Sequence, residues 1–140
     1  MVNFLGLIGA IILLFISLIH FYWAFGGKWG IKSVIPSVEN EKKVFEPGWL
    51  ATVIVAIVML GCSLLYAEGS NFIEVTFISK NVIKYTVMIF SVIFMLRALG
   101  DFKYVGFFKK IKNTPFAVND TRYYSPLCLF LGSIGLLMSF

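Results

Sequence analysis

The chain has 140 residues, of which 59% are hydrophobic and only 14% are charged. Soluble domains carry about 25% charged residues, so this composition leaves too little polar surface for a water-soluble globule and excludes a cytosolic enzyme fold. It also excludes disorder, which requires low hydrophobicity. The 12 Lys and Arg against 7 Asp and Glu give a net charge of +5, which would suggest a nucleic-acid partner unless the positions of the charges indicate otherwise.

The first two predicted elements are apolar segments long enough to cross a bilayer, which takes about 20 apolar residues in a helix. The first covers about residues 2–27 and contains no charged side chain. The second covers about residues 47–67, beginning at a proline that suits the first helical turn and stopping at Glu68 and Gly69. Both segments are therefore predicted to be membrane-spanning helices.

Two further spans are predicted in the second half of the chain. The third covers about residues 83–99 and precedes Gly100, which is placed as a C-terminal cap. The fourth covers about residues 123–140, with Ser125 and Pro126 as its cap and first-turn proline. At about 1.5 Å per residue this last helix is short for a bilayer, so it either starts before Ser125 or lies in a locally thinner membrane.

The positions of the basic residues predict the orientation of the spans. Lys and Arg concentrate in the loop between the first two spans and in the region after the third span, which must lie on one side of the membrane. Because cytoplasmic loops carry the excess of Lys and Arg, both regions are predicted to be cytoplasmic and both termini outside. The sequence thus predicts an all-α integral membrane protein, a single domain over residues 1–140 folded as a four-helix antiparallel bundle. Its cations are expected to face anionic lipid headgroups and not nucleic acid.

The second cytoplasmic loop contains a short segment with the pattern of an interfacial helix. Between Phe102 and Lys112 apolar residues recur near helical spacing with lysines between them, which is typical of a helix lying in the membrane surface. Gly106 weakens the helix prediction, so a bent or partly extended interfacial loop is the alternative. In either form, the lysines of the segment are expected to face inner-leaflet phosphates: Lys103, Lys109, Lys110 and Lys112.

Polar and ionisable side chains from all four spans converge at the cytoplasmic end. Because such residues are costly inside a membrane, they are the default candidates for a functional site. The predicted ligand-binding residues are His20, Trp23, Glu46, Arg97, Asp101, Tyr104, Asp120, Arg122 and Tyr123. The structural alternative is that Arg97 and Asp101 pair with each other, or with Glu46 and Asp120, and only hold helix ends together. Most of the aromatic residues near this end are expected to form an interfacial belt.

His20 is the sharpest of these candidates because it lies well inside the first span. Histidine titrates in the range that proton transfer requires, so His20 and Asp101 are the candidate catalytic residues of a membrane enzyme, with Asp101 or Asp120 orienting the imidazole. The alternative is that His20 hydrogen-bonds a neighbouring helix and has no further role. The chain contains a single histidine, so we predict no metal and no cofactor.

Three stretches of the chain resemble a known family. They are HFYWAFGGKWG at 20–30 followed by VIP at 34–36, RALGDFKYVGFFKK at 97–110, and DTRYYSPLC at 120–128. They are similar to a family of small four-span bacterial membrane proteins known as a domain of unknown function, DUF3995, and the resemblance covers nearly the whole chain. It implies a multi-pass protein of the bacterial inner (cytoplasmic) membrane, and it implies no activity, cofactor or catalytic residue.

Three classes of function are compatible with the sequence. The favoured one is binding of a lipid or other amphiphile at the cytoplasmic end, with Arg97, Lys103 and Arg122 holding an anionic headgroup. The second is an integral membrane enzyme acting on a lipid or isoprenoid, and the third is an accessory subunit or a small oligomeric channel. The middle of the spans is almost free of polar residues, so transport would require a homo-oligomer, a state that the sequence leaves open.

Overall fold

The structure is a computed structural model and describes residues 1–36 and 47–140. In these residues the secondary structure is helical. Within those two ranges there is no β-strand. The helices there are α1 (Val2–Ala24), α2 (Ile31–Val34), α3 (Trp49–Gly69), α4 (Lys80–Leu99), α5 (Pro115–Asn119) and α6 (Ser125–Met138), with a π-helical turn (Asp120–Tyr124) between the last two. The all-helical class predicted from the sequence is confirmed.

Three of these helices, α1, α3 and α4, are long and apolar enough to cross a membrane. They match the first three predicted spans, although α1 ends earlier than predicted and α4 begins earlier. Gly100 ends α4 with a φ of 92°, a left-handed value that glycine adopts without strain. The prediction that Gly100 forms the C-terminal cap of this helix is therefore confirmed.

The fourth helical region begins well before the predicted cap at Ser125. Thr114 is the N-terminal cap, because its Oγ1 accepts a hydrogen bond from the N–H of Ala117 at 3.1 Å and Pro115 opens the first turn. From Pro115 the chain continues through the π-helical turn into α6 with right-handed helical backbone at both junctions. The prediction that Ser125 caps the helix is wrong, since Ser125 lies inside this helical path.

The π-helical turn explains how Pro126 is accommodated inside a helix. Proline lacks an N–H, and its ring crowds the carbonyl four residues earlier, which belongs to Arg122. In the π-helical turn the N–H of Ser125 bonds the carbonyl of Asp120, five residues back. This wider turn loosens the hydrogen-bond ladder directly before the proline, so the helix continues as α6.

Buried serines show that α1 and α3 run antiparallel. Ser17 Oγ donates to the carbonyl of Ala56 at 2.7 Å, and Ser63 Oγ donates to the carbonyl of Ala10 at 2.8 Å. The earlier residue of α1 contacts the later residue of α3, and the later residue of α1 contacts the earlier one. The two helices therefore run in opposite directions. Each bond joins two helices where no water competes for the polar groups, so these contacts stabilise the pair by about 0.6 kcal/mol each.

Tyr66 links all the long helices at the centre of the molecule. Its side chain is fully buried, and its hydroxyl donates to the carbonyl of Leu131 in α6 at 2.9 Å while lying 3.3 Å from Ser91 Oγ in α4. Gly9 of α1 packs closely against the Tyr66 ring, and Gly135 of α6 lies directly against the Tyr66 hydroxyl, where a larger residue would clash. The sequence predicts that the middle of the spans is almost free of polar residues, whereas the structure has a buried polar centre there.

The segment predicted to be a surface helix is a compact loop between α4 and α5. Phe107 N–H returns to the carbonyl of Ala98 at 2.9 Å, and Gly106 has a φ of 88°. A Cβ on Gly106 would lie 2.4 Å from the Cα of Gly100, so the two glycines bring the ends of the loop into backbone contact. The prediction of a helix from Phe102 to Lys112 is wrong. The backbone of this segment forms the bent loop that was the alternative prediction.

We expect Gly135→Ala to destabilise the protein by about 1–3 kcal/mol, the usual cost of overpacking a tight interior. The added Cβ would lie 2.0 Å from Ser91 Oγ and 2.2 Å from the Tyr66 hydroxyl. The matched control is Gly61→Ala in α3, where nothing lies within 4 Å. Thermal unfolding in detergent should show a lower Tm for the first variant and an unchanged or slightly higher Tm for the second. Equal Tm values for the two variants would contradict the described packing.

Candidate functional site

Asp120 lies at the centre of a cluster of polar groups where α4 ends and α5 begins, which is called here the polar end. Its carboxylate has no exposed surface. Oδ1 accepts from Arg97 Nη2 at 2.8 Å, and Oδ2 accepts from the N–H of Gly106 at 2.7 Å and from Lys109 Nζ at 2.9 Å. A single carboxylate thus joins α4, the loop that follows it and the π-helical turn.

Lys109 is the second buried member of this Asp120 cluster. Its side chain is 1% exposed, and besides Asp120 it donates to the carbonyl of Gly106 at 2.8 Å and to Thr121 Oγ1 at 2.6 Å. The ammonium group has three protons, and all three are therefore used. The prediction that Lys109 faces lipid phosphates is wrong, because the carboxylate of Asp120 and two further acceptors hold it inside.

The charges of the Asp120 cluster determine the protonation of its carboxyl group. The carboxylate accepts hydrogen bonds from the cationic groups of Arg97 and Lys109 and from the N–H of Gly106, and such donors favour the charged form of a carboxyl group. Asp120 is therefore ionised in the folded protein. Breaking such a buried pair by removing one partner is strongly destabilising, whereas the intact pair roughly balances its own desolvation.

Asp101 organises the loop after α4 through the backbone. Its Oδ1 accepts hydrogen bonds from the N–H groups of Lys103, Tyr104 and Val105 at 2.9, 2.7 and 2.9 Å. Burial acts to raise the pKa of Asp101, and these backbone donors together bring it below its usual value. One oxygen of the carboxylate is therefore used to fold the loop. Of the alternative pairings predicted for Arg97, the one with Asp101 does not form and the one with Asp120 does.

The side chain of His20 forms its hydrogen bond within its own helix and not with Asp101 or Asp120. Its Nδ1 lies 2.7 Å from the carbonyl of Ile16 in its own helix, and because a carbonyl only accepts, Nδ1 carries the proton. The imidazole packs edge-on against the Trp23 ring, with centroids 5.1 Å apart, and Trp23 Nε1 donates to the carbonyl of Trp29 at 2.8 Å. Neither Asp101 nor Asp120 hydrogen-bonds the imidazole, so the orienting contact expected of an acid–base pair is not formed.

Three other predicted site residues lie on the surface of the polar end. Arg122 and Tyr123 are exposed and stack on each other, with the guanidinium carbon 5.3 Å from the ring centroid. Tyr104 is half-buried and has Lys103 Nζ 5.0 Å from its ring centroid. Glu46 lies outside the described residues. Among the residues that are described, no three His, Cys, Asp or Glu side chains lie close enough to hold a metal ion.

The opposite end of the molecule has a half-open cavity of about 350 Å³. Glu68, Lys80 and Lys84 line it together with apolar side chains of α4 and α6. Glu68 is buried and forms an ion pair with Lys80, so its carboxylate already has a partner in the protein. Among the described residues of the polar end, cationic side chains outnumber carboxylates. The polar end is therefore the stronger candidate for a ligand site.

Sequence reasoning missed Lys109, Gly106 and Thr121 as members of the Asp120 cluster. Nothing in the KK pair at 109–110 distinguishes a buried lysine from an exposed one. A signal did exist for the loop, because an aspartate directly after a capping glycine is typical of a turn in which its carboxylate accepts the following N–H groups. Reading that signal would have favoured the bent loop over the surface helix.

We expect Asp120→Asn to destabilise the protein by about 3–5 kcal/mol, because it leaves the buried Lys109 ammonium and the Arg97 guanidinium without their carboxylate. Asp101→Asn is the matched control. Its amide oxygen can still accept from the three backbone N–H groups of the loop, so we expect a loss below about 1 kcal/mol. Unfolding of both variants in detergent measures the difference, and similar losses for the two would contradict the central role of Asp120.

Comparison with known proteins gives a family for this chain. No curated protein and no solved structure matches it. A family model described as "Protein of unknown function (DUF3995)" matches residues 13–134. The matched range contains His20, Asp101 and the whole Asp120 cluster, and it agrees with the resemblance seen in the three sequence stretches. The chain therefore belongs to the DUF3995 family.

Proposed function

We propose that this protein is a four-helix membrane bundle whose polar end binds the anionic headgroup of a membrane lipid. Three helices have the length and composition of spans. The fourth span in this proposal is the helical path from α5 through α6. At about 1.5 Å per residue that path would rise about 35 Å, which is sufficient for a hydrocarbon core of about 30 Å.

The distribution of basic residues supports a cytoplasmic position for the polar end. The loop after α4 carries Lys103, Lys110 and Lys112, whereas the connection between α3 and α4 carries no Lys or Arg and the start of α4 adds only Lys80 and Lys84. By the positive-inside rule both termini then lie outside, and the polar end faces the anionic leaflet of the bacterial inner membrane. The family resemblance supports the same location.

The observation that carries the proposal is that the two carboxylates described at the polar end accept hydrogen bonds from the protein itself. The carboxylate of Asp120 is satisfied by Arg97, Lys109 and Gly106, and that of Asp101 accepts from the loop backbone. Four further cations of this end are exposed and form no ion pair with a carboxylate among residues 1–36 and 47–140: Lys103, Lys110, Lys112 and Arg122. In this proposal they attract the anionic headgroup.

Exposed aromatic residues next to these cations support a lipid as the source of the anion. Phe102 and Phe108 of the loop are both 61% exposed and pack on each other, with centroids 6.2 Å apart. Phe102 has a φ of 61°, an uncommon value for a large residue. Exposed apolar rings beside lysines are typical of a surface that meets the headgroup and upper acyl region together.

We expect Lys110→Gln to weaken binding of dioctanoyl-phosphatidylglycerol by roughly fivefold, because one lysine at an anionic surface contributes about 1 kcal/mol. Lys110→Gln combined with Lys112→Gln should weaken it further. The matched control is Lys84→Gln, which removes the same charge from an exposed residue at the opposite end. The apparent Kd is measured on the purified protein in neutral detergent, with dioctanoyl-phosphatidylcholine as the zwitterionic reference.

Two outcomes would contradict the proposal. One is equal binding of the phosphatidylglycerol and phosphatidylcholine probes by the wild-type protein, because a site for anionic headgroups must prefer the charged lipid. The other is an equal loss of phosphatidylglycerol binding in Lys110→Gln and Lys84→Gln, because the site would then not lie at the polar end.

A further inference from the structure

Glu68, near the C-terminal end of α3, is a second buried carboxylate, and it has fewer hydrogen bonds than Asp120. The residue is 6% exposed. Lys80 donates to Oε1, whereas Oε2 accepts no hydrogen bond within residues 1–36 and 47–140. Asp120, by comparison, accepts from three different groups on its two oxygens. Because a buried carboxylate is costly unless donors surround it, Oε2 requires a donor that the described residues do not provide.

Glu68 lines the half-open cavity at this end of the molecule, and so do two lysines. The cavity of about 350 Å³ lies between the end of α3, the first turns of α4 and the end of α6. Lys80 and Lys84 are four residues apart, so their side chains are neighbours on one face of α4. Lys84 is exposed and forms no ion pair with a carboxylate in the described ranges. A molecule bound in this cavity would therefore contact both the Glu68 carboxylate and the Lys84 ammonium group.

The size and the wall of the cavity fit a small organic molecule. Its volume lies at the lower end of the range for ligand pockets, about 300–1,000 Å³, whereas one water molecule takes up only about 30 Å³. Ile83, Val87 and Met138 form an apolar part of the wall. Water gains no favourable contact from such a wall, whereas the carbon atoms of an organic ligand do.

The charges at this end of the molecule indicate a ligand without net charge. Residues 68–84 contain two acidic and two basic side chains: Glu68, Glu74, Lys80 and Lys84. Unlike the polar end, this end has no excess of positive charge to attract an anion. Within the cavity, however, Glu68 Oε2 requires a donor and the Lys84 ammonium group requires an acceptor. A zwitterion with an ammonium group and an anionic group satisfies both.

We propose that this cavity binds a phosphoethanolamine group, whose ammonium donates to Glu68 Oε2 and whose phosphate accepts from Lys84 Nζ. The cavity lies at the ends of helices that are long enough to cross a membrane, which is the depth of lipid headgroups. The same chemistry is offered by the headgroup of phosphatidylethanolamine and by free glycerophosphoethanolamine. This site is separate from the polar end, and the inference does not depend on the function proposed for that end.

Glu68→Gln tests the site because it removes the charge of the side chain and keeps its size. The full-length protein in neutral detergent is titrated with glycerophosphoethanolamine and, separately, with dioctanoyl-phosphatidylethanolamine. The choline form of each probe is the reference, because a trimethylated ammonium has no N–H to donate. We expect the wild-type protein to prefer the ethanolamine forms. Glu68→Gln should raise their Kd about tenfold, since hydrogen bonds between charged groups are among the stronger kinds.

Two further variants keep the test independent of folding. Lys80 is 68% exposed at its side chain, so Glu68→Gln leaves no buried cation behind and should keep a Tm close to the wild-type value. Glu74→Gln is the matched control, because it removes the same charge from an exposed residue of the same connection, and we expect an unchanged Kd. Lys84→Gln should raise the Kd up to about fivefold, as expected for an exposed charge.

The two probes distinguish the source of the ligand. Weaker binding of both ethanolamine probes by Glu68→Gln supports a site for the group from either source, and an effect on one probe alone supports the site and identifies the source. Equal binding of the ethanolamine and choline forms by the wild-type protein, including no binding of any of them, would overturn the site. An equal Kd for Glu68→Gln and Glu74→Gln would overturn it as well. A Lys110→Gln effect on phosphatidylglycerol would still leave the proposed function standing, so the two failures can be told apart.

Discussion

The buried carboxylate of Asp120 is the interaction on which the polar end of this protein depends. An unpaired charge without exposed surface would be very costly, so the fold must bring donors to it. It does so from three separate segments: the last turn of α4 supplies Arg97, the following loop supplies Gly106 and Lys109, and the π-helical turn carries Asp120 itself. The contact of Gly100 with Gly106 lets the loop close tightly enough to reach the carboxylate.

The function proposed here follows from how that charge is satisfied. Because Asp120 and Asp101 are engaged within the protein, the surface cations around them have no acidic partner among the described residues. The protein therefore presents positive charge and exposed aromatic rings on the same surface, an arrangement that fits an anionic lipid headgroup.

The sequence predicts the helices well where hydrophobicity and charge act together. The charge-free first segment, the helix before Gly100 and the convergence of Arg97 with Asp120 all follow from composition and depth. The sequence places the start of the fourth helix too late because Ser-Pro is a typical helix start, and only the tertiary structure shows that a π-helical turn carries the helix through Pro126. Lys109 was misplaced because burial of a lysine depends on a carboxylate eleven residues away, which local spacing cannot reveal.

A double-mutant cycle on Lys109 and Asp120 tests the central role of the buried carboxylate most directly. Lys109→Met, Asp120→Asn and the double variant are compared with the wild-type protein by their free energies of unfolding in detergent. The account predicts a coupling energy of about 2 kcal/mol or more, because the two groups are buried and hydrogen-bonded to each other. Additive losses, with a coupling energy below about 0.5 kcal/mol, would contradict it.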